Sequence, residues 1–390
     1  MAQDRRARVA VAALFLTNGA LFANLLPRYP EIKADLHLSN AVYGAAIAAF
    51  SAGALVAGLA AAALIRWFYS SRVAVVGTIG IATFILVAGL ATSPLVLAAA
   101  LFVAGASDAI TDVAQNMHGL RVQRNYGRSI INSFHAVWAV GAILGGLMGA
   151  AAIAIHMPRA THLSIAGAVF SAVVVIAYPY LLRGPDHDDH PSPRSVGGEV
   201  VGIAVYATLV ALAVIAIAGA TVEDAGSSWA TLYLRDSLGA PGALAVFGYI
   251  ALVGFMFIGR LIGDRLVDRF GERAVARAGG FVAATGMGAA LAFPSVPGTI
   301  AGFAAAGLGV ATLIPAAMHG ADQLPGVRPG TGLTVVTWLM RVGFFGAPLL
   351  VGVVADATSL RVGLLSVPIA GLVVMALAGA LSGRRLPSQS

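Results

Sequence analysis

The sequence predicts an all-helical membrane protein with twelve spans arranged as two six-helix bundles. Three observations carry that prediction. Of the 390 residues, 59% are apolar and only 11% charged, with a mean hydropathy of +0.88, whereas soluble domains average about 25% charged residues. Twelve apolar stretches each approach the ~20 residues that cross a hydrocarbon core as a helix. The alternating segments of about half that length that build a membrane barrel do not occur, and a helix satisfies its own backbone hydrogen bonds in lipid.

The stretches fall at 9–26, 41–64, 74–91, 95–117, 132–155, 162–182, 200–220, 243–263, 275–293, 298–320, 332–354 and 361–381. The first follows Arg5, Arg6 and Arg8, as a signal peptide's apolar segment would. Its run continues through Leu26 into Pro27-Arg28-Tyr29-Pro30 with no small-residue cleavage site, so it reads as an uncleaved span. An even number of spans puts both termini on one side. With the N-terminus cytoplasmic, 18 of the 24 basic residues lie on cytoplasmic loops or adjoining span ends, among them Arg66, Arg72, Arg121, Arg124, Arg128, Arg194, Arg260, Arg328, Arg384 and Arg385. Five (Arg28, Lys33, Arg159, Arg235, Arg361) lie outside, and Arg341 falls within span 11. This positive-inside asymmetry accounts for the net charge of +7 without a nucleic-acid partner.

The longest cytoplasmic connection separates the spans into residues 1–183 and 200–390, with 184–199 as linker. Its Asp186-His187-Asp188-Asp189-His190 run reads as a solvated linker, because nothing in it fixes a metal's coordination geometry. The absence of cysteine excludes disulfides, thiolate metal sites and Cys nucleophiles. Sliding the chain on itself by 201 residues superposes Met117-His118-Gly119 on Met318-His319-Gly320, Arg72 on Arg273, Thr111 on Thr312 and Gly145 on Gly346. Spans 1–6 and 7–12 therefore read as parallel repeats, an arrangement of carriers whose substrate site lies between the halves. His118 and His319, at repeated span ends, read as loop anchors.

After span 8 the chain reads Gly263-Asp264-Arg265-Leu266-Val267-Asp268-Arg269-Phe270-Gly271-Glu272-Arg273. This resembles the cytoplasmic signature loop of the major facilitator superfamily, matching at Asp268, Arg269, Gly271 and Arg273 and departing at Asp264, where the pattern has Gly. The corresponding loop after span 2, Arg66 to Arg72, has lost nearly all of it. The resemblance implies a conformational latch, here in the second half only, involving Asp264, Asp268, Arg269, Gly271 and Arg273. Asp112 to Asn116, Gly127-Arg128, His135 to Gly141, and Ala220 to Leu234 are similar to a bacterial branch near the sugar permeases, which implies a multi-pass protein of the cytoplasmic membrane. Gly141, Gly145, Gly146 and Gly149 on span 5 resemble the Gly-rich signature of proton-linked exporters without its Pro; close helix packing explains them as well.

Ionisable side chains inside a span face a cavity or a partner, so they are the candidate transport residues. Asp108, Asp112 and Gln115 form one polar stripe on span 4 at helical spacing. The family resemblance implies that spans 1, 4, 7 and 10 line the cavity. The 201-residue offset pairs Asp108 and Asp112 with Gly309 and Leu313, so the stripe belongs to the first half alone. Glu223 and Asp224 stand at the outer end of span 7, and with Asp108 they are the candidate partners of Arg341, which either pairs structurally or binds an anionic substrate group. His135 suits proton relay or helix packing. Asn18 and Asn24 on span 1 and Asn116 on span 4 can supply neutral hydrogen bonds to a polar solute. Trp138, Trp229 and Trp338 either stack on a substrate or anchor at the interface.

Together these features predict a monomeric secondary transporter that moves a small organic solute by alternating access with protons as coupling ion. The alternative is a proton-linked exporter of drugs or metabolites. A channel lacks its charge rings or carbonyl filter. Metalloprotease, hydrolase and ATP-binding motifs are absent, so no enzyme activity, metal or cofactor is implied.

Overall fold

The computed structural model describes residues 2–126, 130–184, 203–327 and 330–381. The linker's Asp/His run, Gly127-Arg128, Arg194, Arg328, Arg384 and Arg385 lie outside the described residues. Among the described residues, twelve helices are long and apolar enough to cross a membrane: α1 Gln3–Asp35, α2 Asn40–Gly58, α3 Ser70–Gly89, α4 Pro94–Tyr126, α5 Ile131–Ala154, α6 Arg159–Tyr180, α7 Ile203–Ser237, α8 Gly242–Phe270, α9 Glu272–Ala292, α10 Val296–Asp322, α11 Thr331–Ala357 and α12 Leu360–Ala380. No strand occurs among the described residues.

Local chemistry starts several of them. Ser39 Oγ accepts from Val42 N (3.3 Å), Ser295 Oγ from Gly298 N (3.2 Å) and Ser359 Oγ from Val362 N (3.4 Å), capping α2, α10 and α12. The main departure from the sequence reading is α7. Its apolar run ends near residue 220, but the helix continues to Ser237 through two π-helical turns, Ala225–Trp229 and Tyr233–Ser237. Glu223, Asp224 and the two serines lower the apolar signal, while burial of Trp229, Leu232 and Leu234 holds the extension in place. Glu223 and Asp224 therefore lie within the helix rather than at its outer end.

The described chain forms two compact units, one of residues 1–188 with 240–246 and one of 189–239 with 247–390. In the first, α1 packs on α4, α5 and α6, α2 on α4, and α3 on α4 and α6. Every one of these pairings recurs six helices later, as α7 with α10, α11 and α12, α8 with α10, and α9 with α10 and α12. Small residues permit the closest crossings. A Cβ at Gly53 would meet the carbonyl oxygen of Phe102, one at Gly141 that of Leu16, and one at Gly307 that of Leu252. The span-5 glycines thus serve the α1–α5 crossing, where Gly145 faces Ala20 and Gly149 faces Pro27.

The repeat also appears in single contacts. Arg72 donates from Nε to the Tyr178 hydroxyl (3.4 Å), and Arg273 donates from its guanidinium to the carbonyls of Gly379 (2.9 Å) and Leu381 (3.2 Å). Tyr178 and Gly379 are, like the two arginines, 201 residues apart. His118 anchors a helix junction, as the sequence suggests: Ser70 Oγ lies 2.8 Å from its Nδ1, and Leu182 N donates to its Nε2 (3.1 Å). Since Nε2 accepts, Nδ1 carries the proton.

Candidate functional site

The first unit gathers the predicted polar residues of α1, α4 and α5 into two connected chains of hydrogen bonds. Trp138 Nε1 donates to Asn18 Oδ1 (2.8 Å), and Asn18 Nδ2 donates to Asp108 Oδ1 (2.8 Å). One turn further along α4, Asn116 Nδ2 donates to Asp112 Oδ1 (2.9 Å) and to the Asp112 carbonyl (2.9 Å). Asn116 Oδ1 is 3.1 Å from His135 Nε2. An amide oxygen only accepts, so His135 donates here and carries its proton on Nε2. Phe15 of α1 holds the imidazole edge to face, with ring centroids 5.3 Å apart. Asn18 is buried, Asp108 and Asp112 are half-buried, and His135 is exposed. Gln115, on the same stripe, is buried and donates to the Leu14 carbonyl (3.3 Å), tying α4 to α1.

This wiring suits carboxylates that gain and lose a proton. An amide N–H serves an ionised carboxylate, and the other carboxyl oxygen accepts a proton without breaking that bond. A His135 that donates through Nε2 does so in both the neutral and the charged form.

The second unit offers a different arrangement. Asp224 is 7% exposed, its Oδ1 accepts from Ser228 Oγ (2.9 Å), and its Oδ2 accepts no hydrogen bond among the described residues. The π-helical turn Ala225–Trp229 follows directly, a departure from α-geometry that is frequent at functional sites. Glu223 is half-buried in the field of the Arg260 guanidinium on α8. Arg260 stands ten residues before the end of α8, about 15 Å along the helix axis. Trp229 is wholly buried, whereas Trp338 is exposed, with Arg341 half-buried one turn beyond it on α11.

The signature residues are helical rather than loop. Asp264, Asp268 and Arg269 occupy the last turns of α8, all exposed, with Arg269 over the Phe270 ring at 5.4 Å. Gly271 turns the chain into α9 at φ 82°, ψ 154°. Arg273 bonds the end of α12. No group of three or more His, Cys, Asp or Glu is arranged to hold a metal among the described residues.

A third network was not foreseen. Arg28, only 4% exposed, donates from Nε to His162 Nδ1 (3.3 Å), and from its other nitrogens to Glu31 (3.0 Å) and to the Met157 carbonyl (2.8 Å). His162 Nδ1 accepts, so Nε2 carries the proton and donates to Asn24 Oδ1 (2.9 Å). Arg159 continues the chain to Glu31 (3.4 Å) and Asp35 (2.8 Å). Asn24 thus belongs to this α1–α6 clamp, apart from the Asp108 chain. The available signal was the Arg28–Glu31 spacing of three; nothing in the sequence linked either residue to His162.

A polar site carried by helices 1, 4 and 5 of a repeated six-helix unit narrows the family, and the match that decides it spans residues 11–266, over which the chain fits the model of the Major Facilitator Superfamily. The chain belongs to that superfamily. This transporter is 30% identical over 352 residues to the uncharacterized transporter y4wD of Sinorhizobium fredii, covering 90% of this chain and 92% of that one. It is 27% identical over 370 residues to the membrane protein MosC of Rhizobium meliloti, covering 94% and 88%. Solved structures share the fold: a bacterial homologue of the human lysosomal transporter Spinster (TM-score 0.75, 15% identity, 99% and 99% covered) and the nucleoside transporter NupG (0.74, 14%, 97% and 99%). The transporter is accordingly a multi-pass membrane protein and not an enzyme.

Proposed function

We propose that this transporter moves a small organic solute by alternating access, with protons as the coupling ion, and that Asp108 and Asp112 are the protonation centre. The observation that supports this reading is the pair of hydrogen-bond chains Trp138–Asn18–Asp108 and His135–Asn116–Asp112. Each presents a membrane-embedded carboxylate to an amide that accommodates both protonation states. Glu223, Asp224 and Arg341 supply second-half contacts to solute, and Asp268 with Arg269 governs the conformational switch. The chain acts as a monomer in the bacterial cytoplasmic membrane with both termini cytoplasmic, following its basic residues.

A thermal-shift screen of the purified transporter across sugars, organic acids, amino acids and cationic drugs identifies the ligand class, since a ligand stabilises the state it binds. Proteoliposomes with an imposed pH gradient then test coupling. Gradient-driven transport is expected in the native chain and lost in D108N and D112N; undiminished transport by both variants overturns the assignment. Stabilisation by diverse cations with outward movement would select the exporter form of the same mechanism.

A further inference from the structure

A groove of about 500 Å³ runs along the outside of the first unit between α1 and α6, away from the Asp108 chain. Its two walls have the same spacing. Arg6, Val9, Ala10 and Ala13 on α1, and Val173, Ile176, Ala177 and Tyr180 on α6, each fall at i, i+3, i+4 and i+7, the single-face stripe of a helix. Five spans apart, the helices run in opposite directions, so Arg6 and Tyr180 share one end while Ala13 and Val173 share a depth about 10 Å further in. The groove exists because its floor is made of small side chains: Ala10 and Ala177 are buried, and larger exposed residues, Val9 at 69% and Ile176 at 67%, rise on either side.

At the mouth stand Arg5 and Arg6, both exposed and neither in a hydrogen bond or ion pair among the described residues. Cations in the first turn of a helix oppose its dipole, so helix stability does not explain them. The basic-residue pattern explains charge at this end of α1 but not an apolar channel directly beneath it. The second unit provides an internal comparison. At the 201-residue offset its equivalent positions are Tyr206, Ala207, Val210, Ala211 and Val214 on α7 with Val374, Leu377 and Ala378 on α12 and Leu381 just past its end, apolar throughout with no charge at the mouth.

We infer that the α1–α6 groove binds one acidic phospholipid, with Arg5 and Arg6 on its phosphate and an acyl chain laid over Ala10, Ala13 and Ala177. Two guanidiniums are opposite in charge to the phosphodiester and suit its oxygens in donor geometry, and Tyr180, half exposed at the same end, adds an interfacial ring. The apolar channel below fits a hydrocarbon chain and would not hold a soluble anion.

The test uses the full-length transporter in mild detergent, with retained lipid counted by native mass spectrometry after titration with phosphatidylglycerol or phosphatidylcholine. Phosphatidylglycerol is expected to be retained preferentially. The double variant R5Q/R6Q should weaken that retention by about tenfold or more, at ~1 kcal/mol per basic residue. R66Q/R124Q, which removes two exposed arginines elsewhere on the same unit, should leave it unchanged. A13F should fill the channel and lower retention with both arginines present. Equal retention of the two lipids, full retention by R5Q/R6Q, an equal loss in R66Q/R124Q, or no change in a folded A13F each overturns the proposal. Because R5Q/R6Q alters only exposed side chains, it decides the matter even where A13F does not fold.

Discussion

The two six-helix units share a packing frame and differ in what that frame holds. The six pairings of α1, α2 and α3 with α4, α5 and α6 recur in the second unit, down to an arginine at the start of α3 and of α9 that bonds the end of α6 or α12. The first unit threads hydrogen bonds from Trp138 to Asp108 and from His135 to Asp112. The second keeps one deeply buried carboxylate, Asp224, beside a π-helical turn. Position 309, paired with Asp108 by the repeat, shows why the chemistry was not duplicated. A Cβ there would run into the Gly279 carbonyl at the α9–α10 crossing, so no side chain fits. A repeat preserves backbone crossings; side-chain chemistry survives only where the crossing leaves room.

The largest expected effect breaks the comparison at its polar centre. D108N should abolish gradient-driven transport, whereas E223Q, which removes a carboxylate assigned to solute contact in the second unit, should raise the half-saturation concentration and keep the pH dependence. Proteoliposome flux at several gradients measures both, and loss of pH dependence in E223Q would move the coupling site to the second unit.

Next come glycines paired by the repeat. G145A forces a methyl group toward the Ala20 carbonyl and should destabilise by about 1–3 kcal/mol. G346A meets nothing within 4 Å and should be neutral or stabilising by about 0.5–1 kcal/mol, the helix-propensity difference. Melting followed by tryptophan fluorescence in detergent reads both signs.

The turns before α3 and α9 sharpen the comparison further. Tyr69 adopts φ 69°, ψ 147° and Gly271 adopts φ 82°, ψ 154°, the same backbone shape with and without a side chain. That region costs a residue with a Cβ about 1–3 kcal/mol. Y69G should therefore raise the melting temperature, less the contribution of Arg72 stacked 5.7 Å from the Tyr69 ring, and G271A should lower it. The smallest difference concerns the paired arginines. R273Q loses charge-assisted bonds to the carbonyls of Gly379 and Leu381 and should cost about 1–3 kcal/mol, while R72Q loses one 3.4 Å contact and should cost under about 1 kcal/mol.

Much of the candidate site was legible because intramembrane charge is rare enough to stand out. Asp108, Asp112 and Gln115 were visible as a stripe on one helix, Asn116 as a separate amide on the same helix, and Asn18, His135 and Trp138 as isolated polar or aromatic positions on two others. Their partnership was not legible, since helix spacing relates residues within a span but carries no rotational register between spans. Arg28 and His162 were missed for that reason: they are 134 residues apart and become neighbours only where α1 crosses α6. The extent of α7 was misread because hydropathy registers Glu223, Asp224 and the following serines as an end, whereas buried neighbours on both sides carry the helix through them.

The sequence by itself determined the helical class, the number of spans, the repeat and the first-half location of the polar stripe. These follow from composition and periodicity, which act locally along the chain. Tertiary structure alone decided which donor meets which carboxylate, that Gly309 leaves no space for a second aspartate, and that Arg5 and Arg6 stand over an apolar groove. Each of those facts depends on the distance and rotation between packed helices, and many sequences of the same hydropathy would set them differently.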